Sequence, residues 1–259
     1  MSVRVCVLGS GSKGNSTWVA TEKTRLLIDA GFSKRETFAR LAAQGERPET
    51  CTAILISHEH GDHVGGLRKL ALDIQCPVYI TGATREAMEW EPKIRACELI
   101  EAGSKFTIGD IEVSPFSIPH DAAEPIAFTV EAQGIKTGVV TDLGYIPEHV
   151  KQHVRGCNCL VFESNHDLEM LKVGPYPWHV KQRVMGRQGH LSNLTTAEFL
   201  SGEYDAASQI LVLAHLSETN NHPELARLSA LEALERRSAN GVPELHLATQ
   251  TTPTKMFVW

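Results

Sequence analysis

Two apolar runs open the chain, VRVCVLG at 3–9 and TRLLIDA at 24–30, and both have the length and the bounding turn residues of β-strands. The turn-rich SGSKGNST lies between them and a helix is expected at 33–45, so the chain begins as a hairpin feeding a helix. TAILISH (52–58) is almost continuously apolar, which predicts a buried strand whose end hands His58 to a loop. Further strands are expected at 77–81, 105–118 (a hairpin about Gly109 and Asp110), 126–132, 135–141 and 158–163, with helices at 83–90 and 147–154. Helix 195–206 opens on a Thr-Thr-Ala-Glu capping pattern; strand 209–215, helix 222–237 and a last strand at 244–248 complete the series. Both halves run from strands to helices, and no low-complexity linker divides them. The pattern predicts an α/β (α+β) chain folded as one domain over 1–259, a four-layer αββα sandwich of two sheets with helices outside.

Composition narrows the class. A 42% hydrophobic content supports a sizeable core. Neither a signal segment at Met1 nor a long apolar run is present, which predicts a cytoplasmic protein with no membrane partner. The six cysteines are scattered without a CxxC pair, as packed thiols in a reducing compartment would be, and Cys157 and Cys159 are expected on a buried strand. A net charge of -6 argues against holding nucleic acid by bulk electrostatics, so any such grip has to be local.

The densest chemistry is SHEHGDHVGG at 57–66, which gathers His58, Glu59, His60, Asp62 and His63 on about two turns of chain. Imidazole and carboxylate suit zinc, manganese and iron, and a solvated loop does not need so many of them. Glu59 falls between the ligand positions and is expected to face away. Gly61, Gly65 and Gly66 permit a tight turn against a helix start.

His58, His60, Asp62 and His63 resemble the HxHxDH signature of the metallo-β-lactamase superfamily, whose αββα fold matches the pattern reading. The resemblance implies further site residues in chain order: Asp29 in LLIDAG, His120 in SIPHDA, Asp142 in VVTDLG and His215 in LVLAHLS. By that likeness His58, His60 and His120 hold one metal; Asp62, His63 and His215 hold the other; Asp142 bridges both, and Asp29 orients the ligands from behind. Two divalent ions are therefore expected, zinc or manganese, with iron as a third option. The superfamily hosts many reactions, so the ligands alone do not choose the chemistry.

Other stretches, GSGSKGNS, GHLSN and LAHLSETNN, are similar to the YycJ/WalJ-like subfamily in the RNase Z and PhnP-related phosphodiesterase branch. That likeness implies a dinuclear metallohydrolase in which a metal-bridged hydroxide attacks a phosphodiester, most of all a DNA exonuclease working 5′ to 3′. Asp62, His190 and Glu163 are the expected catalytic residues: Asp62 orients the hydroxide, His190 serves the phosphate or leaving oxygen, and Glu163 polarises His190. Ser192, Asn193 and Asn220 are expected to contact substrate. The Ser10–Ser16 loop is expected to accept a phosphate, to pack on the metal loops, or equally to be a plain hairpin connection. Residues 170–197 contain no Asp or Glu but carry Lys172, Lys181, Arg183 and Arg187 with Tyr176, Trp178 and His179 interleaved. Cations for phosphates and aromatic faces for bases make a local nucleic-acid groove, with Lys181, Arg183 and Arg187 as its grip and DNA favoured over RNA. The interval from Asp142 to His215 leaves no room for the extra domain of β-CASP endonucleases. The competing readings are a cyclic or small-molecule phosphodiesterase resembling PhnP, then a thioesterase or lactonase, then an iron redox or binding module.

Overall fold

The computed structural model describes residues 2–88, 94, 96–237 and 242–259. The chain divides into two compact units, one of Met1–Ser117, Ala122–Ile135 and Thr249–Trp259, the other of Ile118–Asp121 and Lys136–Ala248.

The first unit begins with β1 (Arg4–Gly9), β2 (Ser16–Ala20), β3 (Arg25–Ile28) and α1 (Lys34–Ala43). It continues with β4 (Ala53–Leu55), α2 (Gly61–Val64), α3 (Leu67–Ile74), β5 (Val78–Ile80), α4 (Gly82–Ala87) and β6 (Cys97–Leu99). An antiparallel run of β7 (Phe106–Ile108), β8 (Ile111–Ser117) and β9 (Ile126–Ala132) follows, with Gly109 at φ 59° making the hairpin turn. The second unit holds β10 (Ile135–Val140) from its second residue, α5 (Glu148–Val154), β11 (Cys159–Glu163), α6 (Leu168–Val173), α7 (Trp178–Val184), α8 (Asn193–Gly202), β12 (Ile210–Ala214), α9 (Pro223–Arg237) and β13 (Glu244–Leu247). The terminal β14 (Phe257–Val258) returns to the first unit, beside β1.

In the first unit a seven-stranded mixed sheet runs β14-β1-β2-β3-β4-β5-β6. Its registers pair Cys6 with Trp18, Trp18 with Leu27, Leu27 with Ile54, and Ile54 with Val78. One row of side chains thus crosses five strands, and all five belong to a core that Leu41 of α1 and Leu67, Leu70 and Ala71 of α3 help to close. Burial of such a row is the main force holding the sheet, about 1.5–3 kcal/mol for each large aliphatic side chain. The sequence reading made 3–9 and 24–30 a hairpin; the structure inserts β2 between them. The reason is local: Thr21 N donates to Thr24 O at 2.8 Å and Thr21 Oγ1 accepts from Lys23 N and Thr24 N, so the tight turn lies at Glu22-Lys23. The serines and glycines ahead of β2 disguised its first two residues as loop.

In the second unit β13, β12, β11 and β10 are parallel neighbours. Parallel strands are covered on both faces, which is why CLVFE and ILVLA read as unbroken buried runs. Phe162 of β11 stacks on Phe199 of α8 with ring centroids 5.0 Å apart. α8 starts at Asn193, because Ser192 Oγ accepts from Thr195 N and caps it, and ends at Gly202. The expected 195–206 span is displaced for that reason. Residues 89 and 90 of the expected helix 83–90 lie outside the described residues. Cys157 and Cys159 are fully buried free thiols; Cys159 begins β11 as expected, whereas Cys157 lies two residues before the strand. Among the described residues no helix is long and apolar enough to cross a membrane.

Candidate metal centre

Parallel strands bring their carboxyl ends to one edge, where α/β proteins place chemistry. In the first unit β3 and β4 are such a pair, and Asp29 follows the one while Ser57 and His58 follow the other. Asp29 N donates to Leu55 O at 2.8 Å, and its carboxylate takes Ser57 N and Ser57 Oγ, both at 2.9 Å, and His63 Nδ1 at 2.8 Å. A carboxylate only accepts, so His63 carries its proton on Nδ1 and its lone pair on Nε2. Ser57 Oγ gives its one proton to Asp29, so it accepts from His58 Nδ1 at 3.0 Å, and His58 likewise keeps its lone pair on Nε2. The His58 ring centroid lies 4.1 Å from that of His63 and 4.6 Å from that of His60. His58 and His63 are buried, whereas His60 and Asp62 are partly open. Glu59 faces away as expected, accepting from Ala123 N at 2.8 Å.

The loop 10–16 packs on this cluster. Asn15 N donates to Asp62 O at 2.7 Å, and Asn15 Nδ2 reaches Asp62 Oδ2 at 3.0 Å and His63 Nε2 at 3.1 Å. Of the readings open for the loop, the observed contacts are those of packing on the metal-type residues.

In the second unit Asp142 follows β10, Glu163 ends β11 and His215 follows β12, all at the same edge of the parallel sheet. One donor atom from each of Asp142, Glu163, His190 and His215 lies within 4.8 Å of all the others. Glu163 is completely buried at the centre. Its Oε1 accepts from His190 Nδ1 at 2.9 Å, His215 Nδ1 at 3.1 Å and Asp142 N at 3.1 Å; its Oε2 accepts from Leu191 N at 2.8 Å and Leu143 N at 3.3 Å. Burial alone pushes this carboxyl up, but the charge of His190 and the hydrogen bonds from His190 and His215 outweigh it and hold the pKa at about 2. His215 therefore keeps its lone pair on Nε2, which lies 3.5 Å from Asp142 Oδ1. His120 donates Nδ1–H to Gly189 O at 3.2 Å and places Nε2 3.8 Å from Asp142 Oδ1. Burial lowers its pKa, against the opposing pull of Asp142. In each unit, then, imidazoles are anchored through Nδ1–H and turn the other nitrogen toward carboxylates. That donor set fits a divalent transition metal.

A family model described as "Beta-lactamase superfamily domain" matches residues 24–216. The chain belongs to the beta-lactamase superfamily. Among its superfamily relatives, exodeoxyribonuclease YycJ of Bacillus anthracis is 37% identical over 99% of both chains. Exodeoxyribonuclease WalJ of Streptococcus pneumoniae serotype 2 is 35% identical over 88% of this chain and 87% of its own. The crystal structure of the metallo-β-lactamase fold protein YhfI from Bacillus subtilis superposes with a TM-score of 0.74 over 99% of each chain at 17% identity. The α/β class and the metallo-β-lactamase fold read from the sequence are borne out.

Superfamily membership leaves the substrate-facing residues to be placed one by one. Ser192 spends its hydroxyl on the α8 cap. Asn193 is buried, with Oδ1 accepting from Ser164 Oγ and Asn221 Nδ2 and Nδ2 donating to Asn221 Oδ1. Asn220 is buried too, its backbone tied to Ser217 and Asp167. Lys181 is buried and donates Nζ to Lys172 O at 2.7 Å. Ser192, Asn193 and Lys181 spend side-chain polar atoms on the scaffold, whereas the Asn220 side-chain Oδ1 is buried without a hydrogen-bond partner among the described residues. Arg183, Arg187, Trp178 and His179 are exposed, so the basic and aromatic character of 170–197 does reach solvent. Two residues of the first cluster went unread individually: Ser57, signalled only by its place before His58, and Asn15, inside a loop treated as a whole.

Proposed function

We propose that the chain is a metal-dependent phosphodiesterase that degrades DNA from an end, 5′ to 3′, in the cytoplasm. The likeness to two exodeoxyribonucleases, one along 99% of both chains, carries this reading. Within it residues 1–259 act as a single domain. His58, His60 and His120 would hold one ion and Asp62, His63 and His215 the other, with Asp142 available to both, while Asp29 aligns His63 directly and His58 through Ser57. Zinc or manganese fits these donors best, iron less well. When bound, such a pair polarises phosphoryl oxygen and makes water nucleophilic near neutral pH.

The chain's own groups supply the rest. Asp62 orients the attacking water and accepts its proton. Glu163 stays ionised at any working pH and supplies the counter-charge when His190 carries protons on both nitrogens. With Nδ1–H tied to Glu163, His190 presents its Nε2–H to the leaving oxygen or a phosphate oxygen. Arg183 and Arg187 contribute local positive charge to an acidic molecule.

The test is a panel of 5′- and 3′-labelled DNA and RNA with Mn²⁺, Mg²⁺ or Zn²⁺, beside Asp62→Asn. Release of short products from the 5′ end of DNA, absent in the variant, is the expected result. Turnover of small phosphodiesters with DNA untouched would move the assignment to the PhnP-like alternative, and activity surviving in Asp62→Asn would refute the catalytic assignment.

A further inference from the structure

Within the second unit a cleft of about 550 Å³ is lined by Pro119, Asp121, Tyr145, Arg183, Gly186, Arg187 and Gln188. That lies in the range of sites that hold a small molecule, roughly 300–1,000 Å³. Three stretches of its wall adjoin the residues described above. Asp121 follows His120, Tyr145 comes three residues after Asp142, and Arg187 three before His190.

The wall is built to hold one guanidinium in place. Arg187 lies over the Tyr145 ring with its central carbon 4.3 Å from the ring centroid. The backbone beneath is close-packed: a Cβ added to Gly144 would fall 2.4 Å from Arg187 C and 2.5 Å from Gly186 O, and one on Gly189 would fall 2.2 Å from Val184 O. His190 N and Gly189 N close the turn on Val184 O and Gly186 O, both at 2.9 Å. Among the described residues no carboxylate forms a salt bridge with Arg187. Arg183 is different, since its side chain is 69% exposed and only loosely paired with Asp121, at 3.6 Å. Two arginines against one aspartate leave the cleft positive, with one fixed and one movable guanidinium, although the chain as a whole is acidic.

We propose that this cleft is the subsite for the nucleotide adjoining the phosphodiester to be cut, with Arg187, held on the Tyr145 ring, and Arg183 gripping its phosphate. The inference rests on the nuclease reading and extends it to a residue, Tyr145, whose role is to position Arg187. Arg183 releases Asp121 to engage the anion, and a guanidinium already oriented by a ring loses little freedom on binding. The subsite distinguishes a polymer, which fills it, from a small phosphodiester, which does not.

The test compares Arg187→Gln, Tyr145→Leu and Tyr145→Phe on a labelled oligonucleotide and on bis(p-nitrophenyl) phosphate. It is paired with calorimetric binding of dAMP to the metal-loaded protein. Loss of one charge-assisted contact should raise oligonucleotide KM roughly ten- to hundred-fold beyond any effect on the small diester, in both Arg187→Gln and Tyr145→Leu. It should also flatten the salt dependence by about one phosphate contact. Tyr145→Phe keeps the ring face and should bind the oligonucleotide like the parent. Equal losses on the two substrates, or a normal KM in Tyr145→Leu, would overturn the subsite. Should the parent fail to cut DNA, the nuclease reading falls by itself. The subsite is then judged by dAMP: a dissociation constant unchanged in Arg187→Gln overturns it, and a roughly ten-fold rise upholds it.

Discussion

Glu163→Gln is the substitution that separates the chemistry of the cluster from its packing, because the two side chains have nearly the same shape. Glu163 accepts five hydrogen bonds, two from imidazoles and three from backbone amides. Glutamine keeps one acceptor oxygen and replaces the other with a donor. If the oxygen stays with His190 and His215, the new amide faces Leu143 N and Leu191 N, leaving two buried donors unsatisfied. At about 1–3 kcal/mol each, the expected destabilisation is about 2–6 kcal/mol, a large part of a typical 5–15 kcal/mol total. The proposed role of His190 also loses its counter-charge, and a positioned general acid is worth about 10²–10⁴ in rate. Urea unfolding monitored by circular dichroism gives the first quantity, and kcat on labelled DNA at saturating metal gives the second. A double variant with His190→Asn tests whether the two act together: the rate losses should be far from additive. A Glu163→Gln protein with an unshifted unfolding midpoint and a kcat within two-fold of the parent would refute the reasoning.

The remaining predictions concern the supports of the proposed centre. Asp29→Asn weakens the orienting bonds to His63 and Ser57 and should lower metal affinity about 10–100-fold, measured by competition with a chromophoric chelator; unchanged affinity would remove Asp29 from that role. Prolonged chelation should abolish phosphodiester cleavage, and zinc or manganese should restore it; cleavage persisting in metal-free protein at the original rate counts against the metal assignment. Asn193→Ala breaks the buried amide pair with Asn221 and should cost roughly 1–3 kcal/mol of stability while leaving oligonucleotide KM in place; a raised KM without loss of stability would return Asn193 to the substrate surface.

What could be read in advance depended on whether the information was local. The HxHxDH run needs no tertiary knowledge, since four donor residues sit within six positions and any fold that uses them must bring them together. The unbroken apolar runs of β11 and β12 announced buried strands for an equally local reason, while their parallel pairing came only with the fold. Ser192 and Asn193 show the opposite case. A short polar side chain beside a histidine looks the same whether it meets a phosphate, caps a helix or bonds another amide, and only the fold decides. Asn15 was obscure because its partners Asp62 and His63 lie 47 and 48 residues away. The segment around α6 and α7 combines Gly174, Pro175 and Pro177 with helical turns too short for a clear period, so its charges were legible while the burial of Lys181 was not.

One property of the centre has no counterpart in any motif. Asp29, Asp142 and His215, each following a strand of a parallel pair, have φ values of 61°, 64° and 55°. Left-handed backbone at a non-glycine residue costs on the order of 1–3 kcal/mol, somewhat less for aspartate, and persists where the surroundings enforce it. The enforcement is visible: Asp29 N is held by Leu55 O and Ala30 N by His63 O, while Asp142 N is held by the Glu163 carboxylate. A strand that continued in β conformation would send successive side chains to alternate faces of the sheet. The left-handed residue breaks that alternation at the carboxyl edge, so a side chain can be aimed along the strand direction instead of into a sheet face. Glycine would relieve the strain at each position and forfeit the carboxylate or imidazole. Keeping a side chain there, at a cost in stability, is what a site built for donor atoms requires and a purely structural turn does not.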